Sequence, residues 1–374
     1  MLTRFRFNLS HVQSNFQNSK FVLHFDTLLS FLPLLPTHKI IHLTAFFPDV
    51  SDQNDHYALK LREVLNRLKS LRSLHLAIHS FLCIPTLSEY FEAPSNLCEL
   101  SLYISIQKQK ELIKLALFIG SLSNLSLLAI RNSKLIQGPA SEGLRVLFTQ
   151  ISGLPRLKSL EVSLSDGSID SLKSQSFYGC LGEFTACLTR LHELQEIKFT
   201  QSEFGIEPEF DSLADALKKK GSKLRKLKIK FANGQKKIDH LKKLNSSFKT
   251  MENLEELSLE NLWTEKEGIL HFSEILLELK WVRSVKLGGE NPILKKADWA
   301  RTLKKVLMKY GLEELKWFGD MQIYEVNYFF VKAMDSIDIK KIILRNPRLY
   351  RVSLDYSRAE SRELVFKNVK SVLP

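Results

Sequence analysis

Lysine and arginine are concentrated in one segment of this 374-residue chain, between Lys218 and Lys243. The segment reads KKKGSKLRKLKIKFANGQKKIDHLKK and contains twelve basic residues and one acidic residue, Asp239, in a chain whose formal net charge is +13 at pH 7. Lysines at a helix C-terminus complement the helix dipole. A density this high is typical of a surface that meets a polyanion such as RNA, an acidic protein tail or a lipid head group. A basic face that is merely solvated is the alternative interpretation.

Further lysines at matching strand positions extend the predicted binding surface. Glutamates alternate with them, so two hypotheses stand: a binding surface for an acidic partner, or a ladder in which Glu196, Glu256 and Glu314 pair with Lys198, Lys228 and Lys316. The predicted binding residues are Lys198, Lys218, Lys219, Lys220, Lys223, Arg225, Lys226, Lys228, Lys230, Lys236, Lys237, Lys286 and Lys316.

Catalytic and cofactor motifs are absent from the sequence. It contains no GxSxG, HExxH, GxGxxG or GxxxxGK[ST] pattern, and Gly288-Gly289 after a predicted strand indicates a turn. His42 and His75 are predicted to occupy equivalent positions in consecutive repeats, but a metal site there would need a third ligand that the sequence does not supply. We therefore predict a protein that is not an enzyme and holds no cofactor or metal.

A repeated pattern of apolar residues predicts the elements that position these side chains. The pattern L-x-x-L-x-L, with Ile, Val, Phe or Trp as substitutes, recurs with its middle position at residues 41, 74, 100, 128, 160, 197, 227, 257, 285, 315 and 342. Amphipathic helical segments lie between the copies; Leu61, Val64, Leu65 and Leu68 show the spacing of one helix face. One strand-helix unit cannot bury its apolar face alone, so the units must stack with parallel strands about 4.8 Å apart.

At these residues the chain resembles the leucine-rich-repeat superfamily, specifically its long-repeat, ribonuclease-inhibitor-like branch. The resemblance covers residues 38–345. It implies an α/β solenoid, a horseshoe with parallel strands on the concave face and helices on the convex face. The family pattern continues to an Asn that forms a buried hydrogen-bonded ladder. This sequence departs there, which implies a weak ladder in the first half and none in the second; the corresponding residues are His79, Ser105, Ser133, Ser165, Ser202, Ala232 and Leu262.

Three regions are predicted along the chain. Residues 1–37 form an N-terminal cap or short first unit, residues 38–345 an array of about eleven repeats, and residues 346–374 a C-terminal strand and helix cap. Alternation of Phe5, Phe7 and Leu9 predicts an early strand. The segment from Leu349 to Leu354 matches the strand pattern only ten residues after Ile342. This spacing predicts a terminal hairpin, followed by a helix over about 358–373.

Cysteine use predicts a reducing compartment. Four cysteines are too few for a disulfide framework in a chain of this length, and Cys180 and Cys187 share one face of a predicted helix as small core residues. We expect an intracellular protein, most simply cytoplasmic, with the mitochondrion and the nucleus as alternatives. No sequence stretch is long and apolar enough to predict a transmembrane segment.

The expected function is a protein-interaction scaffold that docks one or more protein partners, in a multi-subunit assembly, on the concave face and the basic segment. The alternative is a subunit of a ribonucleoprotein or other nucleic-acid assembly that binds RNA or another polyanion through Lys218–Lys243. A third hypothesis is an accessory regulator, such as a substrate-recognition subunit or a GTPase-activating protein. The Ran GTPase-activating proteins are similar in size and repeat type, but no acidic tail and no matching catalytic Arg motif is found here.

Overall fold

The computed structural model describes residues 4–6, 42–47, 65–78, 96–104, 109–132, 141–164, 181–201, 207–231, 238–260, 274, 276–290, 306, 312–320, 351–356 and 361–365. The chain divides into two compact units, unit 1 (Met1–Leu194) and unit 2 (Gln195–Pro374). Among the helices in the described ranges, none combines the length and the apolar character needed to cross a membrane.

Unit 1 contains a parallel sheet whose strands follow chain order. Each strand pairs with the next one along the chain. The strands are β1 (Arg4–Arg6), β2 (His42–Phe47), β3 (Ser73–Ile78), β4 (Glu99–Ile104), β5 (Leu127–Asn132) and β6 (Ser159–Leu164). The helices of this unit whose first and last residues are both described are α1 (Gln109–Gly120), α2 (Ser141–Ser152) and α3 (Leu181–Arg190).

The middle leucines of the predicted repeats align across this sheet. Leu74 pairs with Leu100, Leu100 with Leu128, and Leu128 with Leu160, and none of the four is more than 1% exposed. Successive residues of a strand point to opposite faces of the sheet, so the strand residues on either side of each of these leucines face away from the core. The predicted repeat positions are confirmed over β3 to β6.

The first copy of the repeat lies two residues later than the sequence predicts. Leu43, not Ile41, pairs with Leu74, and Leu43 is 1% exposed. His42 is therefore aligned with Ser73, and Thr44 with His75. The predicted equivalence of His42 and His75 is wrong, because the buried residue that fixes the register of β2 is Leu43. The strand predicted around Phe5 is confirmed at Arg4–Arg6, where β1 pairs with β2.

Helices of unit 1 bury one apolar face each. In α1 the buried apolar residues Leu112, Leu115, Ala116 and Ile119 have the spacing of a single helix face. Phe148 of α2 and Phe184 of α3 bring the next two helices together, with ring centroids 5.4 Å apart. Cys187 is buried on α3, as predicted, and Cys180 lies outside the described residues.

Unit 2 continues the same strand arrangement. Strands β7 to β12 pair in parallel in chain order, and β13 pairs antiparallel with β12. The strands are β7 (Glu196–Gln201), β8 (Lys226–Phe231), β9 (Glu256–Glu260), β10 (Ser284–Glu290), β11 (Glu314–Asp320), β12 (Arg351–Tyr356) and β13 (Ser361–Val365). The helices of this unit whose first and last residues are both described are α4 (Glu207–Lys220) and α5 (Ile238–Phe248).

The C-terminal end of the array differs from the prediction in two ways. The strand beside β11 is β12, with Val352 paired to Leu315 and Leu354 paired to Trp317. The copy predicted at Ile342 lies outside the described residues. A strand also stands at 361–365, where a helix was predicted. Its residues can satisfy the otherwise unpaired backbone edge of β12, and that pairing outweighs local helical preference.

A backbone hydrogen-bond pattern joins each repeat to the next. The carbonyl oxygen of Arg225 accepts the N–H groups of Glu255 at 2.7 Å and Glu256 at 3.0 Å. The same double acceptance recurs before other strands, at the carbonyl groups of Arg72, Cys98, Ser126, Gln195, Glu255 and Arg283. Loop asparagines add to it: Asn253 Nδ2 donates to the carbonyl oxygen of Ser222 at 2.6 Å. The positions predicted to weaken the family's Asn ladder lie outside the described residues.

Two leucines of α1 provide a matched test of this packing. Leu115 is 3% exposed, whereas Leu117 in the same helix is 56% exposed. We expect Leu115→Ala to lower the free energy of unfolding by about 2–5 kcal/mol, because it removes buried methyl groups and leaves a cavity. Leu117→Ala should change it by less than about 0.5 kcal/mol. Urea unfolding followed by circular dichroism measures both, and equal losses would contradict the described core.

Candidate functional site

The lysines of β8 all lie on one side of the sheet of unit 2. Leu227 and Ile229 are each 1% exposed in the core, so the alternating residues Lys226, Lys228 and Lys230 project from the opposite face. Neighbouring strands add side chains in the same rows. We call this surface the lysine face and define it by Glu196, Lys198, Lys226, Lys228, Lys230, Glu256, Ser258, Glu260 and Lys286.

The first row of the lysine face alternates in charge. Glu196, Lys226 and Glu256 are aligned on β7, β8 and β9. Lys226 Nζ lies 3.6 Å from Glu196 Oε1 and 3.2 Å from Glu256 Oε1. Its hydrogen bond to Glu256 and the attraction of both carboxylates raise the pKa of Lys226. All three side chains are more than 40% exposed, so each pair contributes little to stability.

These pairs show one glutamate–lysine ladder across the strands. Glu196 and Glu256 both pair with Lys226, a residue that the predicted ladder did not include. The third glutamate of that hypothesis, Glu314, accepts a hydrogen bond from Ser284 Oγ at 3.2 Å.

Glu260, at the end of β9, is the centre of a second charge cluster that the sequence analysis missed. Its Oε1 lies 3.4 Å from Lys228 Nζ and 3.2 Å from Lys286 Nζ, and its Oε2 lies 3.4 Å from Lys230 Nζ. Its side chain is 13% exposed. Burial alone would raise the pKa of Glu260, but the three lysines outweigh burial and hold the pKa below its ordinary value. One carboxylate on β9 thus pairs with three ammonium groups from the two neighbouring strands, β8 and β10.

The second row of the lysine face is basic apart from one serine. Lys198, Lys228, Ser258 and Lys286 are aligned on β7 to β10, and the backbone of Lys316 continues the row on β11. Adjacent parallel strands are about 4.8 Å apart, so the row crosses the strands at short intervals. Ser258 Oγ is buried and has no hydrogen-bond partner within the described part of the chain. The side chain of Lys316 lies outside that part.

The remaining basic residues of the Lys218–Lys243 segment are away from this face. Lys218 and Lys219 are exposed at the end of α4, and Lys223 and Arg225 are exposed in the turn before β8. Lys220 is 7% exposed. Its prediction as a surface binding residue is therefore corrected: Lys220 is buried at the end of α4, a helix that packs against α5.

Other members of the segment do not add to an exposed patch in the described ranges. Lys243 Nζ pairs with Asp211 Oδ2 at 2.9 Å. Lys236 and Lys237 lie outside the described residues. The segment that is continuous in sequence is therefore divided between the lysine face and the end of α4.

The corresponding face of unit 1 carries fewer charges. Arg131 makes a bidentate ion pair with Glu161, at 2.6 and 2.9 Å. His75 Nε2 lies 3.1 Å from Ser73 Oγ, and burial lowers the pKa of His75 against the attraction of Glu99. Within the described ranges no group of three or more His, Cys, Asp or Glu side chains is placed to hold a metal ion.

Comparison with known proteins gives matches only among solved structures. No protein-family model matches the sequence, and no curated protein matches it. The chain is similar to one in a crystal structure of a Rad7 and Elc1 complex in yeast, with 16% identity over 88% of this chain and 84% of that chain and a TM-score of 0.48. It is also similar to one in a crystal structure of a TLR13–ssRNA13 complex, with 16% identity over 79% of this chain and 45% of that chain and a TM-score of 0.33.

The aligned repeats decide the architecture. In both units parallel strands stand in chain order, and the two spaced apolar positions of each motif are aligned across the sheet. This chain has the leucine-rich-repeat fold. In a leucine-rich-repeat solenoid the outward strand residues form rows at regular spacing, which is the arrangement that brings the lysines of β7 to β10 together.

The pKa of Glu260 gives a pH-dependent test of the cluster. A carboxylate whose pKa is lowered by folding stabilises the fold above its unfolded pKa, roughly 4.3 for Glu, and loses that contribution as pH falls through the folded value. We expect the melting temperature to fall less between pH 7 and pH 3 in Glu260→Gln than in the wild type. Glu252→Gln, which changes an exposed glutamate in the turn before β9, is the control and should match the wild type. Equal pH dependence in all three proteins would refute the cluster.

Proposed function

We propose that this chain is a non-enzymatic docking scaffold whose lysine face binds an acidic segment of a protein partner in a multi-subunit assembly. The supporting observation is the basic row Lys198, Lys228 and Lys286, held in register on neighbouring strands. A parallel sheet fixes these positions through its backbone hydrogen bonds, so the cations are in place before a partner arrives. Docking then orders fewer side chains than a flexible basic tail would, which favours affinity.

Charge balance supports an acidic partner for this face. Glu196 and Glu256 share Lys226, so these three residues of the first row carry a net charge of −1. Beyond that row the described charged residues of the lysine face are four lysines, Lys198, Lys228, Lys230 and Lys286, and one glutamate, Glu260. An excess of positive charge therefore lies along the strands where the basic row runs. Opposite potentials on two partners speed their encounter and fix their register.

The chemistry of the lysine face supports binding rather than catalysis. Its described side chains are lysines, glutamates and a serine, and the lysines of the Glu260 cluster are tied to that carboxylate. Ser258 Oγ has no base within hydrogen-bond distance among the described residues, so it lacks the partner that activates a serine nucleophile. Lysines held in ion pairs serve to recognise charge.

A second candidate function is binding of RNA or another polyanion in a ribonucleoprotein. It is favoured by the exposed cations outside the lysine face, Lys218, Lys219, Lys223 and Arg225. Binding through phosphate groups would weaken steeply as salt rises. We propose an intracellular setting for either function, most simply the cytoplasm; the free thiol of Cys98 is compatible with it.

Co-purification with matched variants separates the two functions. The tagged full chain, the double variant Lys228→Gln/Lys286→Gln and the double variant Lys218→Gln/Lys219→Gln would be compared by mass spectrometry, with and without nuclease. The proposal predicts a defined set of proteins that survives nuclease, falls at least fivefold in the Lys228/Lys286 variant and persists in the other.

The opposite pattern would reject the scaffold proposal. Loss of the partners on nuclease treatment, together with their loss in the Lys218/Lys219 variant, would establish the polyanion function instead. Each variant removes two positive charges. A difference in the amount of co-purified partner therefore reflects the position of the lysines and not the net charge of the chain.

A further inference from the structure

We propose that Lys228, Ser258 and Lys286 form a subsite for one carboxylate of the acidic partner, and that Glu260 is the internal counter-ion which that carboxylate displaces. The inference rests on the proposed function. It adds the position of the carboxylate subsite and identifies the group that occupies this subsite when no partner is bound. The three residues belong to three adjacent strands, β8, β9 and β10, with Ser258 in the middle.

The ammonium groups already converge on a carboxylate. Lys228 Nζ and Lys286 Nζ lie 3.4 and 3.2 Å from the same atom, Glu260 Oε1. Two like charges held this close repel each other unless an anion lies between them. Glu260 therefore marks the position and the chemical class of a group that these lysines bind. Because an ammonium group has three donors, each lysine can bind a second oxygen while it exchanges one carboxylate for another.

Ser258 supplies an independent observation. Its hydroxyl oxygen is buried, and within the described residues it has no hydrogen-bond partner. Buried polar groups in folded proteins nearly always have one, and leaving one unmade costs free energy. The residue is aligned with Lys228 on one side and Lys286 on the other. Glu260 leaves this hydroxyl unbonded, whereas a partner carboxylate seated against Ser258, between Lys228 and Lys286, would accept its hydrogen bond.

The negative charge of Glu260 repels an incoming anion, while its ion pairs hold the three lysines together. Three lysines and one glutamate leave a net positive cluster, so a partner carboxylate is attracted to it. The two carboxylates repel each other, and only one can occupy the position between Lys228 and Lys286. Replacing Glu260 by Gln removes that competition and keeps the side-chain size. The internal counter-ion thus lowers the affinity for isolated anions and favours partners that bring several carboxylates at once.

The test uses the full chain and an octaglutamate peptide as the probe, with octaglutamine as the uncharged control, in calorimetric titrations at 50 and 200 mM salt. We expect Glu260→Gln to bind octaglutamate roughly threefold to tenfold more tightly than the wild type, and Ser258→Ala to bind it more weakly by a similar factor. Glu252→Gln removes the same charge from an exposed glutamate in the turn before β9, outside the lysine face, and Ser284→Ala removes a hydroxyl that already bonds to Glu314. These two controls should change affinity by less than about twofold.

Thermal unfolding of each variant guards against a loss of structure. Ser258→Ala should melt no lower than the wild type, because it removes a buried donor without a partner. Glu260→Gln conserves size, and its tighter binding decides the question even if Ser258→Ala were unstable, since a damaged fold does not gain affinity.

The outcomes separate this subsite from the proposed function. Octaglutamate binding that is unchanged in both Glu260→Gln and Ser258→Ala would overturn the subsite and leave acidic docking intact. Absence of octaglutamate binding at 50 mM salt would overturn both. Binding of polyuridylate without binding of octaglutamate would overturn the carboxylate subsite and favour the polyanion function. Binding of inorganic phosphate at the same site, abolished in Ser258→Ala, would overturn its assignment to a carboxylate.

Discussion

Burial of the inward apolar pair of each strand against the next repeat is the contact on which the rest of the structure depends. Leu227, Leu257 and Val285 are aligned on neighbouring strands, and each is at most 1% exposed. A single strand and helix would leave such residues in water, at a cost of roughly 1.5–3 kcal/mol for each side chain. Stacking removes that cost only when the register is kept, because a slip of one residue would turn every apolar side chain outward.

The lysine face follows from this register. Once Leu227 and Ile229 point inward, Lys226, Lys228 and Lys230 must project outward from β8, and the same constraint places Lys286 on β10. The carbonyl oxygen of Arg225 holds the start of β9 through two hydrogen bonds, so Ser258 and Glu260 are fixed relative to those lysines. The outward side chains make no contribution to the core and are available for recognition. Repulsion among the aligned cations is offset by Glu260, which connects the stability of the face to its capacity to bind anions.

The apolar spacing in the sequence predicted the strands correctly wherever that spacing was clear and leucines on neighbouring strands fixed the register. It was wrong at both ends of the array. At β2 either Ile41 or Leu43 could fill the inward position, and only the pairing with Leu74 decides between them. Near the C-terminal end two copies of the motif lie ten residues apart, and the second is the one that pairs with β11. The strand β13 forms through an edge supplied by β12, a tertiary effect that local pattern does not contain. Glu260 was missed because it follows the motif as an ordinary glutamate, and its role arises from lysines 32 and 30 residues before it and 26 residues after it.

Lysine-reactivity footprinting of the purified assembly tests the central claim most directly. The chain alone and the chain with its co-purified partners would be acetylated under matched conditions, and the modified lysines quantified by mass spectrometry. We expect the partners to protect Lys198, Lys228, Lys230 and Lys286, while Lys218 and Lys219 at the end of α4 keep the reactivity that they have in the free chain. Protection confined to Lys218 and Lys219, with the strand lysines unchanged, would contradict it.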